Sequence, residues 1–584
     1  MALDLTIKFA GEGGEGVISS GDFLMQAATR AGFDVVTFKS FPSEIKGGYA
    51  MSQVRISDQK LISQGDGFDI VVVFNGEAFE VNRSLMKPGT VVVYDGPEGS
   101  DFEADTDAEG VTFYAVPASK LAKDPEGLAN YVVKNMVLMG SLIELFGVPE
   151  STIRSSIHDK FIRKGEAVVD LNYRAIEAGK NWIKTNYPTK SHDAELSFPE
   201  AREGKDVIIL TGNQACAVGG TLAGAKFYGA YPITPATSVG DYSAYNMLKT
   251  NGYVYQTEDE IAAIATVIGA SFAGVKSFTA TSGPGIALMQ ELLGLAYMSE
   301  IPLVVIDVMR GGPSTGMPTK HDQSDLYAVA LGGHGDNMRP VLAAANVSDC
   351  VYLTIDAFNL AEKYQTPVFM LSDASLSLQA EAIPTPDVAA IKAGLIDREV
   401  ATGGEGFKRY LNTESGISPM GIPGIEGASY AATGLEHSED SGPRTNPETR
   451  VAMTDKRWRK LAGFAADYES MRPTERIGEA GDEIGIIAWG MTQAIAKEAV
   501  LRLRAKGKKV SLLCPKLLWP VNVEVIEAFA NSVGKVVIPE ANVQGQYASL
   551  LKMQTSIKPV QINIYRGEPF IPAEIESAIE ELLG

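Results

Sequence analysis

Two prolines hold a threonine in the stretch YPITPATSVGDY, residues 231–242. Proline fixes its own backbone angle φ and cannot continue a strand ladder, so the chain must turn here and keep Thr234 in a defined position. A hydroxyl group held in this way can stabilise negative charge that develops on a substrate oxygen. The alternative interpretation is an ordinary loop.

An arginine ends a predicted buried strand in PLVVIDVMRGGPSTGMPTKHDQSDL, residues 302–326. Ligands of open α/β sheets bind beyond the carboxyl ends of the strands, so Arg310 is positioned to hold a carboxylate through two parallel hydrogen bonds. A surface arginine in a mobile loop is the alternative. Lys320 and His321 follow in the same loop, where a lone histidine is more often solvated than catalytic.

Three acidic residues precede a helical pattern in QTEDEIAAIATVIGASFAG, residues 256–274. On helix statistics alone, the favoured interpretation is structural, because acids at a helix N-terminus interact well with the helix dipole. The predicted buried face of this helix consists of Ile261, Ile264, Ala265 and Ile268. The next segment, KSFTATSGPGIALM, predicts a strand, a Gly-Pro-Gly loop and a helix start, which is a common place for ligand contact.

The run GEGGEG at residues 11–16 matches the dinucleotide fingerprint, and it lies between a predicted strand and a predicted helix. Three interpretations remain open: an NAD site, a plain glycine turn, and a site for another nucleotide-like ligand. An NAD site needs an acid at the end of the second strand, DVVTFKS, where this chain has Lys39. Lys39 and Lys46 would instead suit a phosphate-rich ligand.

Two kinds of metal site are not expected in this chain. GDGFDIVVVFN, residues 65–75, resembles the motif that binds Mg²⁺ and diphosphate, but Asn75 follows Asp66 too closely, and a turn before a buried strand is predicted instead. Cys216, Cys350 and Cys514 are far apart, whereas an iron–sulfur cluster takes about four thiolates. Clusters used by this protein must therefore belong to another chain.

These segments lie on three blocks of alternating strand and helix patterns. The first block has the short, nearly continuous apolar runs LTIKFAG, DVVTFKS, DIVVVFN and TVVVYD, which are typical of buried parallel strands. The polar, proline-containing stretch at 184–206 is predicted to be a linker before the second block. Residues 402–475 are rich in glycine, proline and acids and weakly periodic, and a connection of this length is usually functional or disordered. Residues 482–584 return to an α/β pattern.

The bulk properties exclude several classes of protein. A chain of 584 residues is too long for one core, and its net charge of −21 argues against general binding to nucleic acid or to anionic membranes. The N-terminus MALDLTIKFAG does not resemble a secretory signal, and no apolar run approaches the roughly 20 residues that cross a bilayer. We therefore expect a cytoplasmic protein.

Taken together, the motifs resemble those of the 2-oxoacid:ferredoxin oxidoreductases. YPITPATSVGDY, QTEDEIAAIATVIGASFAG, TATSGPGIALMQELLGLAYMSEIPLVV and RGGPSTGMPTKHDQSDL occur in that family in this order. GEGGEGVISSGDFL and FPSEIKGG resemble its gamma region, here placed before an alpha region on one polypeptide. The resemblance covers nearly the whole chain and is greatest to the 2-oxoglutarate type, although that type usually has a glutamate where this chain has Asp322.

The resemblance implies an α/β fold with three domains. These are a gamma-type domain on the coenzyme A side (1–190), a pyrimidine-type thiamine diphosphate domain (205–400) and a transketolase C-terminal-like domain (476–584). A linker (191–204) and a long connection (401–475) join them.

The resemblance also implies roles for individual residues. Glu260, with Glu258 as second choice, matches the glutamate that contacts N1′ of the aminopyrimidine, and Thr234 matches the threonine beside the substrate and the reactive end of the cofactor. Arg310 matches the arginine that pairs with a substrate carboxylate, and Lys320 and His321 lie in the loop toward a distal carboxylate. Further cofactor contacts are implied at Pro232, Ile233, Ser282 and Gly283, and coenzyme A contacts at Gly13, Gly16, Lys46 and Gly47.

The implied activity is the coenzyme A-dependent oxidative decarboxylation of 2-oxoglutarate, with electrons passed to ferredoxin, and its reverse, CO₂ fixation. A beta subunit would hold Mg²⁺, the diphosphate side of thiamine diphosphate and a [4Fe–4S] cluster, in an (alpha-beta)₂ assembly; no metal site is expected in this chain. The alternatives are another 2-oxoacid such as pyruvate or a branched-chain one, an NAD(P)-dependent dehydrogenase, and a non-catalytic assembly subunit.

Overall fold

A computed structural model of the chain describes residues 3–42, 47–96, 108–123, 133–199 and 206–584. The chain forms two compact units. The first contains residues 1–210 and 378–385, and the second contains residues 211–377 and 386–584. The domain boundaries expected from the sequence remain predictions.

Strands and helices alternate along most of the described chain. The strands are β1 (Asp4–Glu12), β2 (Asp34–Ser40), β3 (Tyr49–Ser57), β4 (Ile70–Val73), β5 (Val91–Asp95), β6 (Thr112–Val116), β7 (Val207–Thr211), β8 (Phe227–Ala230), β9 (Tyr253–Gln256), β10 (Ser277–Thr281), β11 (Leu303–Met309), β12 (Val341–Ala343), β13 (Pro367–Asp373), β14 (Ala380–Pro384), β15 (Glu475–Ile477), β16 (Ile484–Ile487), β17 (Val510–Cys514), β18 (Leu517–Trp519), β19 (Lys535–Glu540) and β20 (Val560–Asn563).

The α-helices are α1 (Val17–Arg30), α2 (Gly76–Arg83), α3 (Ala118–Leu121), α4 (Lys134–Phe146), α5 (Glu150–Phe161), α6 (Glu166–Asn186), α7 (Gly212–Leu222), α8 (Thr237–Asn246), α9 (Glu260–Phe272), α10 (Gly283–Met298), α11 (Leu326–Ala330), α12 (Val347–Tyr364), α13 (Ala374–Leu378), α14 (Val388–Ala393), α15 (Pro447–Ala462), α16 (Phe464–Met471), α17 (Gly490–Ala505), α18 (Val523–Ala530), α19 (Gln546–Gln554) and α20 (Pro572–Leu583). None of the described helices is long and apolar enough to cross a membrane.

The first unit is built on a mixed sheet in the order β6-β5-β4-β1-β3-β2-β14-β7. Strands β1, β4, β5 and β6 are parallel, as the apolar runs predict for β1, β4 and β5. The prediction was wrong for DVVTFKS: β2 runs antiparallel to β3, a strand that the sequence analysis did not identify. Strand β3, YAMSQVRIS, is buried along most of its length despite its polar residues, because α1 packs on it and the side chains of Gln53 and Arg55 donate hydrogen bonds to the carbonyl oxygens of Gln64 and Ser63.

The polar stretch at 184–206 begins as part of the first unit and not as a free linker. Tyr187 packs edge-on against Tyr114, whose hydroxyl lies 2.8 Å from Nδ1 of His192. Phe198 is buried against the same core, and its amide donates a hydrogen bond to the carbonyl oxygen of Phe146. Aromatic contacts therefore fix a segment whose composition alone predicts an open connection.

The second unit contains two sheets. The larger has the order β18-β12-β13-β11-β10-β8-β9, with only β18 antiparallel to its neighbour. The smaller has the order β15-β17-β16-β19-β20, with β15 antiparallel and the others parallel. One hydrophobic core contains residues from both sheets, such as Val305 and Ile538. The larger sheet contains strands of the predicted second block together with β18 from the predicted third block, and the smaller sheet contains the other strands of the third block.

The long connection at 402–475 is ordered around a buried charge cluster. Glu300 accepts hydrogen bonds from Nζ of Lys456 at 2.8 and 2.9 Å and from Nζ of Lys460 at 2.9 Å, and all three side chains are fully buried. Burial alone would raise the pKa of Glu300, but the two lysines outweigh it and hold that pKa well below its usual range. The ion pairs with Glu300 thus attach this segment to the core of the second unit, although its sequence shows little helical or strand periodicity.

The buried face of α9 differs from the predicted one. Ile264 and Ile268 are buried as expected, together with Ala263 and Val267. Ile261 and Ala265 are exposed, so their predicted burial was wrong. The buried side of α9 packs on α10 and on strands β8 and β10.

Candidate active site

The loop with the two prolines connects β8 to α8. Thr234 is exposed, whereas Pro235 is buried, and Nδ2 of Asn213 donates a 2.7 Å hydrogen bond to the carbonyl oxygen of Pro235. The same amide donates at 2.8 Å to the hydroxyl of Ser238 in the first turn of α8. Pro232 and Ile233 precede Thr234 at the surface. The expected rigid turn is therefore present, and its threonine is accessible.

Arg310 lies directly after β11 and contacts this loop. Its side chain is buried, and Nη1 donates a 2.6 Å hydrogen bond to the carbonyl oxygen of Thr234. Nε has no partner among the described residues. Burial lowers the pKa of Arg310, while the nearby carboxyl groups of Asp325 and Glu260 oppose that shift. Arg310 is therefore not a surface arginine in a mobile loop.

Glu260 begins α9 and is buried, whereas Glu258 is exposed. Asp259 caps the helix by accepting a 2.7 Å hydrogen bond from the amide of Ala262, which turns Glu260 toward the interior. Among the described residues, none donates a hydrogen bond to the Glu260 carboxylate. Acids before a helix have two roles here: Asp259 caps the helix, and Glu260 places its carboxyl group in the interior.

A glycine leaves room for Glu260. An added Cβ at Gly285 would lie 2.8 Å from Cγ of Glu260 and 2.0 Å from Oγ1 of Thr281. The Gly-Pro-Gly segment is the first turn of α10 and not a loop, and Ser282 is its N-cap residue. The hydroxyls of Thr281 and Ser282 are buried without a hydrogen-bond partner in the described chain.

His321 is buried, although a solvated histidine was the more frequent expectation for a loop. Its Nδ1 lies 2.9 Å from Oδ1 of Asp373, and its Nε2 has no partner among the described residues. Lys320 is half-buried. The amide of His321 donates a 3.1 Å hydrogen bond to the carbonyl oxygen of Gly567. The loop is thus attached to the C-terminal part of the second unit.

Gln323, which the sequence analysis did not single out, is the main anchor of this loop. Its Oε1 accepts hydrogen bonds from the hydroxyl of Thr492 at 2.7 Å and from the amide of Ala541 at 3.0 Å. Its Nε2 donates at 3.0 Å to the carbonyl oxygen of Trp489. Its partners are more than 160 residues away along the chain, so local patterns contain no signal for this role.

Two acidic residues, one within β11 and one just before α11, were also not singled out by the sequence analysis. Asp307 is fully buried in β11, and neither of its carboxyl oxygens has a partner among the described residues. Asp325 lies at the start of α11, and one of its oxygens is likewise unpartnered. A single charged residue within the apolar run LVVIDVM was the available signal for Asp307, because unpaired charges are rarely buried without a function.

Gly13 of the first unit lies close to Gly47 and Gly48. The amide of Gly13 donates a 3.1 Å hydrogen bond to the carbonyl oxygen of Gly48, and an added Cβ at Gly13 would lie 3.1 Å from the carbonyl oxygen of Gly47. Gly16 begins α1 with a φ of 90°. Lys46 lies outside the described residues. Gly13, Gly16 and Gly47 therefore belong to one loop region at the carboxyl end of β1.

The geometry of the first unit does not favour an NAD site. In a dinucleotide fold the second strand is parallel to the first, with the ribose-binding acid at its end. Here β2 is separated from β1 by β3, and Nζ of Lys39 forms a 2.7 Å ion pair with Asp22. Because Lys39 is paired with Asp22, its ammonium group is not available to bind a phosphate.

Three family models match this chain and together span most of it. Residues 219–456 match the thiamine diphosphate-binding domain of pyruvate flavodoxin/ferredoxin oxidoreductases. Residues 6–182 match the pyruvate ferredoxin/flavodoxin oxidoreductase domain, and residues 482–568 match core domain II of pyruvate:ferredoxin oxidoreductase.

Similar proteins cover almost the full chain. Subunit KorA of a 2-oxoglutarate oxidoreductase from Mycobacterium tuberculosis is 32% identical, over 99% of this chain and 92% of that one. The alpha subunit of 2-oxoacid:ferredoxin oxidoreductase 2 from Aeropyrum pernix is 29% identical, over 100% and 98%. A solved 2-oxoglutarate:ferredoxin oxidoreductase from Magnetococcus marinus, with 2-oxoglutarate, coenzyme A and succinyl-CoA bound, is 48% identical with a TM-score of 0.94 over the whole of both chains. The chain belongs to the 2-oxoacid:ferredoxin oxidoreductase family.

The residues of the second unit fit the heterocycle of thiamine diphosphate. The aminopyrimidine ring offers nitrogen donors and acceptors, and the buried Glu260 carboxylate and the unpartnered hydroxyls of Thr281 and Ser282 are the complementary groups. A pocket beside the Thr234 loop is lined by Tyr231, Pro232 and Tyr255 and offers an apolar wall. Within the described part of the chain, no group of three or more His, Cys, Asp or Glu side chains is arranged to hold a metal ion.

Proposed function

We propose that this chain is the alpha subunit, with a fused gamma region, of a complex that oxidatively decarboxylates 2-oxoglutarate with coenzyme A and passes electrons to ferredoxin. The observation that carries the proposal is that a buried Arg310 is hydrogen-bonded to the loop of an accessible Thr234 and has the carboxyl group of the buried Glu260 nearby. The whole-chain likeness to a 2-oxoglutarate:ferredoxin oxidoreductase supports the choice of substrate. A cytoplasmic location remains a prediction.

Glu260, Arg310 and Thr234 would bind and orient the cofactor and the substrate. Thiamine diphosphate, when bound, supplies the electron sink that a 2-oxoacid needs in order to lose CO₂. Ionised Glu260 would accept a hydrogen bond from N1′ of the aminopyrimidine and hold a proton at that atom. Arg310 would bind the carboxylate next to the keto group, and the Thr234 hydroxyl would donate to the keto oxygen as negative charge develops on it.

The fixed backbone around Thr234 makes this arrangement effective. A donor that is already in position costs no reorganisation when the charge forms. Arg310 contributes here as well, because its hydrogen bond to the Thr234 carbonyl oxygen couples the carboxylate-binding group to the loop. Lys320 and His321 are the candidates for the distal carboxylate of a five-carbon dicarboxylic acid. The loop region of Gly13, Gly16 and Gly47, with Lys46, would contact coenzyme A.

Two readouts test this function. The chain is co-expressed with a beta subunit, and the reduction of a viologen dye is measured with 2-oxoglutarate, pyruvate and branched-chain 2-oxoacids in the presence of coenzyme A. We expect the highest kcat/KM for 2-oxoglutarate; a higher value for another 2-oxoacid would contradict the substrate assignment. Tight binding of NADH or NADPH by the whole chain would favour the dehydrogenase alternative.

An exposed tyrosine face supports the need for a partner. It consists of Tyr231 in the cofactor loop, Tyr245 in α8, and Tyr253 and Tyr255 in the edge strand β9. Tyr245 is 68% exposed and Tyr253 is 72% exposed. Exposed apolar patches of this kind mark interaction sites, and tyrosine is enriched at interfaces. Because Tyr231 and Tyr255 also line the pocket beside Pro232, we assign this face to the beta subunit that completes the cofactor site.

Co-purification tests the tyrosine face. Tyr253→Asp introduces a charge at the centre of the proposed interface and should reduce recovery of the beta subunit at least tenfold. Tyr565→Asp is the matched control, because Tyr565 is 67% exposed and lies outside this face. Equal recovery of the beta subunit with both variants would contradict the assignment, and the assembly would then have to use another surface.

A further inference from the structure

Nε2 of His321 is a buried ring nitrogen without a partner. The side chain of His321 is fully buried, and its Nε2 has no hydrogen-bond partner among the described residues. The backbone around the ring is held in place: the amide of His321 donates at 3.1 Å to the carbonyl oxygen of Gly567. The amide of Gln323 donates at 2.8 Å to the carbonyl oxygen of Ala541. Because buried polar atoms in native proteins are almost always hydrogen-bonded, Nε2 is a candidate contact for a ligand.

Asp373 sets the orientation of this ring. Its Oδ1 lies 2.9 Å from Nδ1 of His321 and also accepts a 2.9 Å hydrogen bond from the amide of Leu376 in α13. An ionised carboxylate only accepts hydrogen bonds, so Nδ1 is the ring atom that donates. The side chain of Asp373 is itself buried and is held between the helix amide and the ring. Nε2 is therefore the ring nitrogen that is left for another group, and Asp373 fixes its position.

The strand register brings this histidine–aspartate pair to the same sheet edge as Arg310. Asp373 is the last residue of β13, and its register partner in the parallel strand β11 is Met309. Arg310 follows Met309 directly and donates a hydrogen bond to the carbonyl oxygen of Thr234. Neighbouring strands lie about 4.8 Å apart, and ligands of open α/β sheets bind beyond the carboxyl ends of the strands. The pair thus flanks the group that we assign to the substrate carboxylate next to the keto group.

We propose that Nε2 of His321 binds the distal carboxylate of 2-oxoglutarate and that Asp373 is the positioning residue for this contact. A proton on Nε2 makes it a charged donor to the carboxylate, and the Asp373 carboxylate balances the charge of the ring. A 2-oxoacid without a distal carboxylate leaves Nε2 buried and unpaired, which disfavours it. The inference rests on the proposed function and selects His321 over Lys320, because the buried atom without a partner belongs to His321.

Substrate preference of the complex tests this contact. The measured quantity is kcat/KM for 2-oxoglutarate divided by kcat/KM for 2-oxopentanoate, which has a methyl group in place of the distal carboxylate. His321→Gln should lower this ratio by roughly 10- to 150-fold through KM for 2-oxoglutarate, and Asp373→Asn should lower it by less. His334→Gln, the same change at an exposed histidine, should retain the ratio. A merely structural His321 would impair both substrates equally, and an unchanged ratio in His321→Gln would overturn the proposal.

Binding of glutarate tests the same contact without turnover, because glutarate has both carboxylates and no keto group. Isothermal titration of the complex should show weaker glutarate binding in His321→Gln and in Asp373→Asn. If Asp373→Asn does not fold, Asp373→Glu replaces it, since it keeps the charge but displaces the carboxylate. Equal glutarate affinities in a complex that oxidises 2-oxoglutarate would overturn this inference and leave the proposed function standing. Weaker binding in His321→Gln, in a complex that does not oxidise 2-oxoglutarate, would support the inference and contradict the proposed function.

Discussion

Nη1 of Arg310 donates a 2.6 Å hydrogen bond to the main-chain carbonyl oxygen of Thr234. The two residues are 76 positions apart, and this contact joins the end of β11 to the loop that follows β8. Only one of the donors of the guanidinium is used by this bond, and Nε remains unpartnered among the described residues. Arg310 can therefore bind a carboxylate while it holds the threonine loop in place.

Replacement of Arg310 should weaken substrate binding. A hydrogen-bonded contact with a charged group contributes about 1.5–3 kcal/mol, so Arg310→Ala should raise KM for the 2-oxoacid by roughly 10- to 150-fold. Arg310→Lys keeps the positive charge but loses the planar guanidinium group that can bind a carboxylate through two hydrogen bonds, so it should give an intermediate KM. Initial rates of viologen reduction by the complex measure both values. An unchanged KM in Arg310→Ala would favour the non-catalytic assembly role.

Removal of the Glu260 carboxylate should impair the chemical step. Groups that control proton position at a reacting cofactor typically contribute 10²- to 10⁴-fold, so Glu260→Ala should lower kcat by about that factor. Glu258→Ala is the informative comparison, because Glu258 is exposed on the same segment. If Glu258→Ala abolishes activity and Glu260→Ala does not, the assignment to Glu260 is wrong.

A single methyl group at residue 285 should disturb the cofactor site. Its Cβ would lie 2.0 Å from Oγ1 of Thr281 and 2.8 Å from Cγ of Glu260, so Glu260 must move. Gly285→Ala should therefore weaken the binding of thiamine diphosphate, which isothermal titration of the complex would measure. Gly294→Ala is a matched control in the same helix, with no atom within 4 Å of the added Cβ. It should bind the cofactor normally; equal affinities of the two variants would contradict this account.

The buried cluster of Glu300, Lys456 and Lys460 should be essential for stability. Glu300→Ala leaves two buried ammonium groups without their carboxylate, and such losses typically cost about 3–5 kcal/mol. Chemical denaturation monitored by circular dichroism measures this change. Lys408→Ala removes one partner of an exposed ion pair with Glu439 and should shift the midpoint much less. Similar midpoints for both variants would show that the cluster does not organise the long connection.

The same cluster should make stability sensitive to acid. The pKa of Glu300 is held below its ordinary value of 4.5, so the unfolded chain binds a proton here before the folded chain does. Stability from this group is present above pH 4.5 and is lost as the pH falls toward the folded pKa. The unmodified chain should therefore lose stability in this acid range more steeply than Glu300→Ala does. Parallel curves in urea titrations from pH 5 to pH 3 would contradict this prediction.

The sequence identified those parts of the site that lie in single segments. The turn around Thr234, the strand that ends at Arg310 and the helix that begins near Glu260 follow from local patterns, namely prolines, a run of apolar residues and capping acids. The family models and the whole-chain likeness confirm the α/β fold class and the family. The roles of the individual site residues remain predictions.

Non-local contacts account for what the sequence analysis missed. Strand β3 contains buried polar residues, which are covered by α1 or hydrogen-bonded to the segment of Ser63 and Gln64. Gln323 has its partners more than 160 residues away, and Glu300 depends on lysines of α15. Ile261 and Ala265 of α9 are exposed although their spacing matches that of the buried Ile264 and Ile268, because packing on α10 and the sheet decides which side of the helix is covered.

A structure of the assembled complex with thiamine diphosphate tests the central claim most directly, because the claim is that this chain supplies only the heterocycle side of a shared site. The measured quantity is the distance from the Glu260 carboxylate to N1′ of the aminopyrimidine. We predict a hydrogen bond of about 2.6–3.0 Å, with Thr234 and Arg310 beside the reactive carbon and the diphosphate held by the partner chain. A cofactor bound far from Glu260, or held entirely by one chain, would contradict the account.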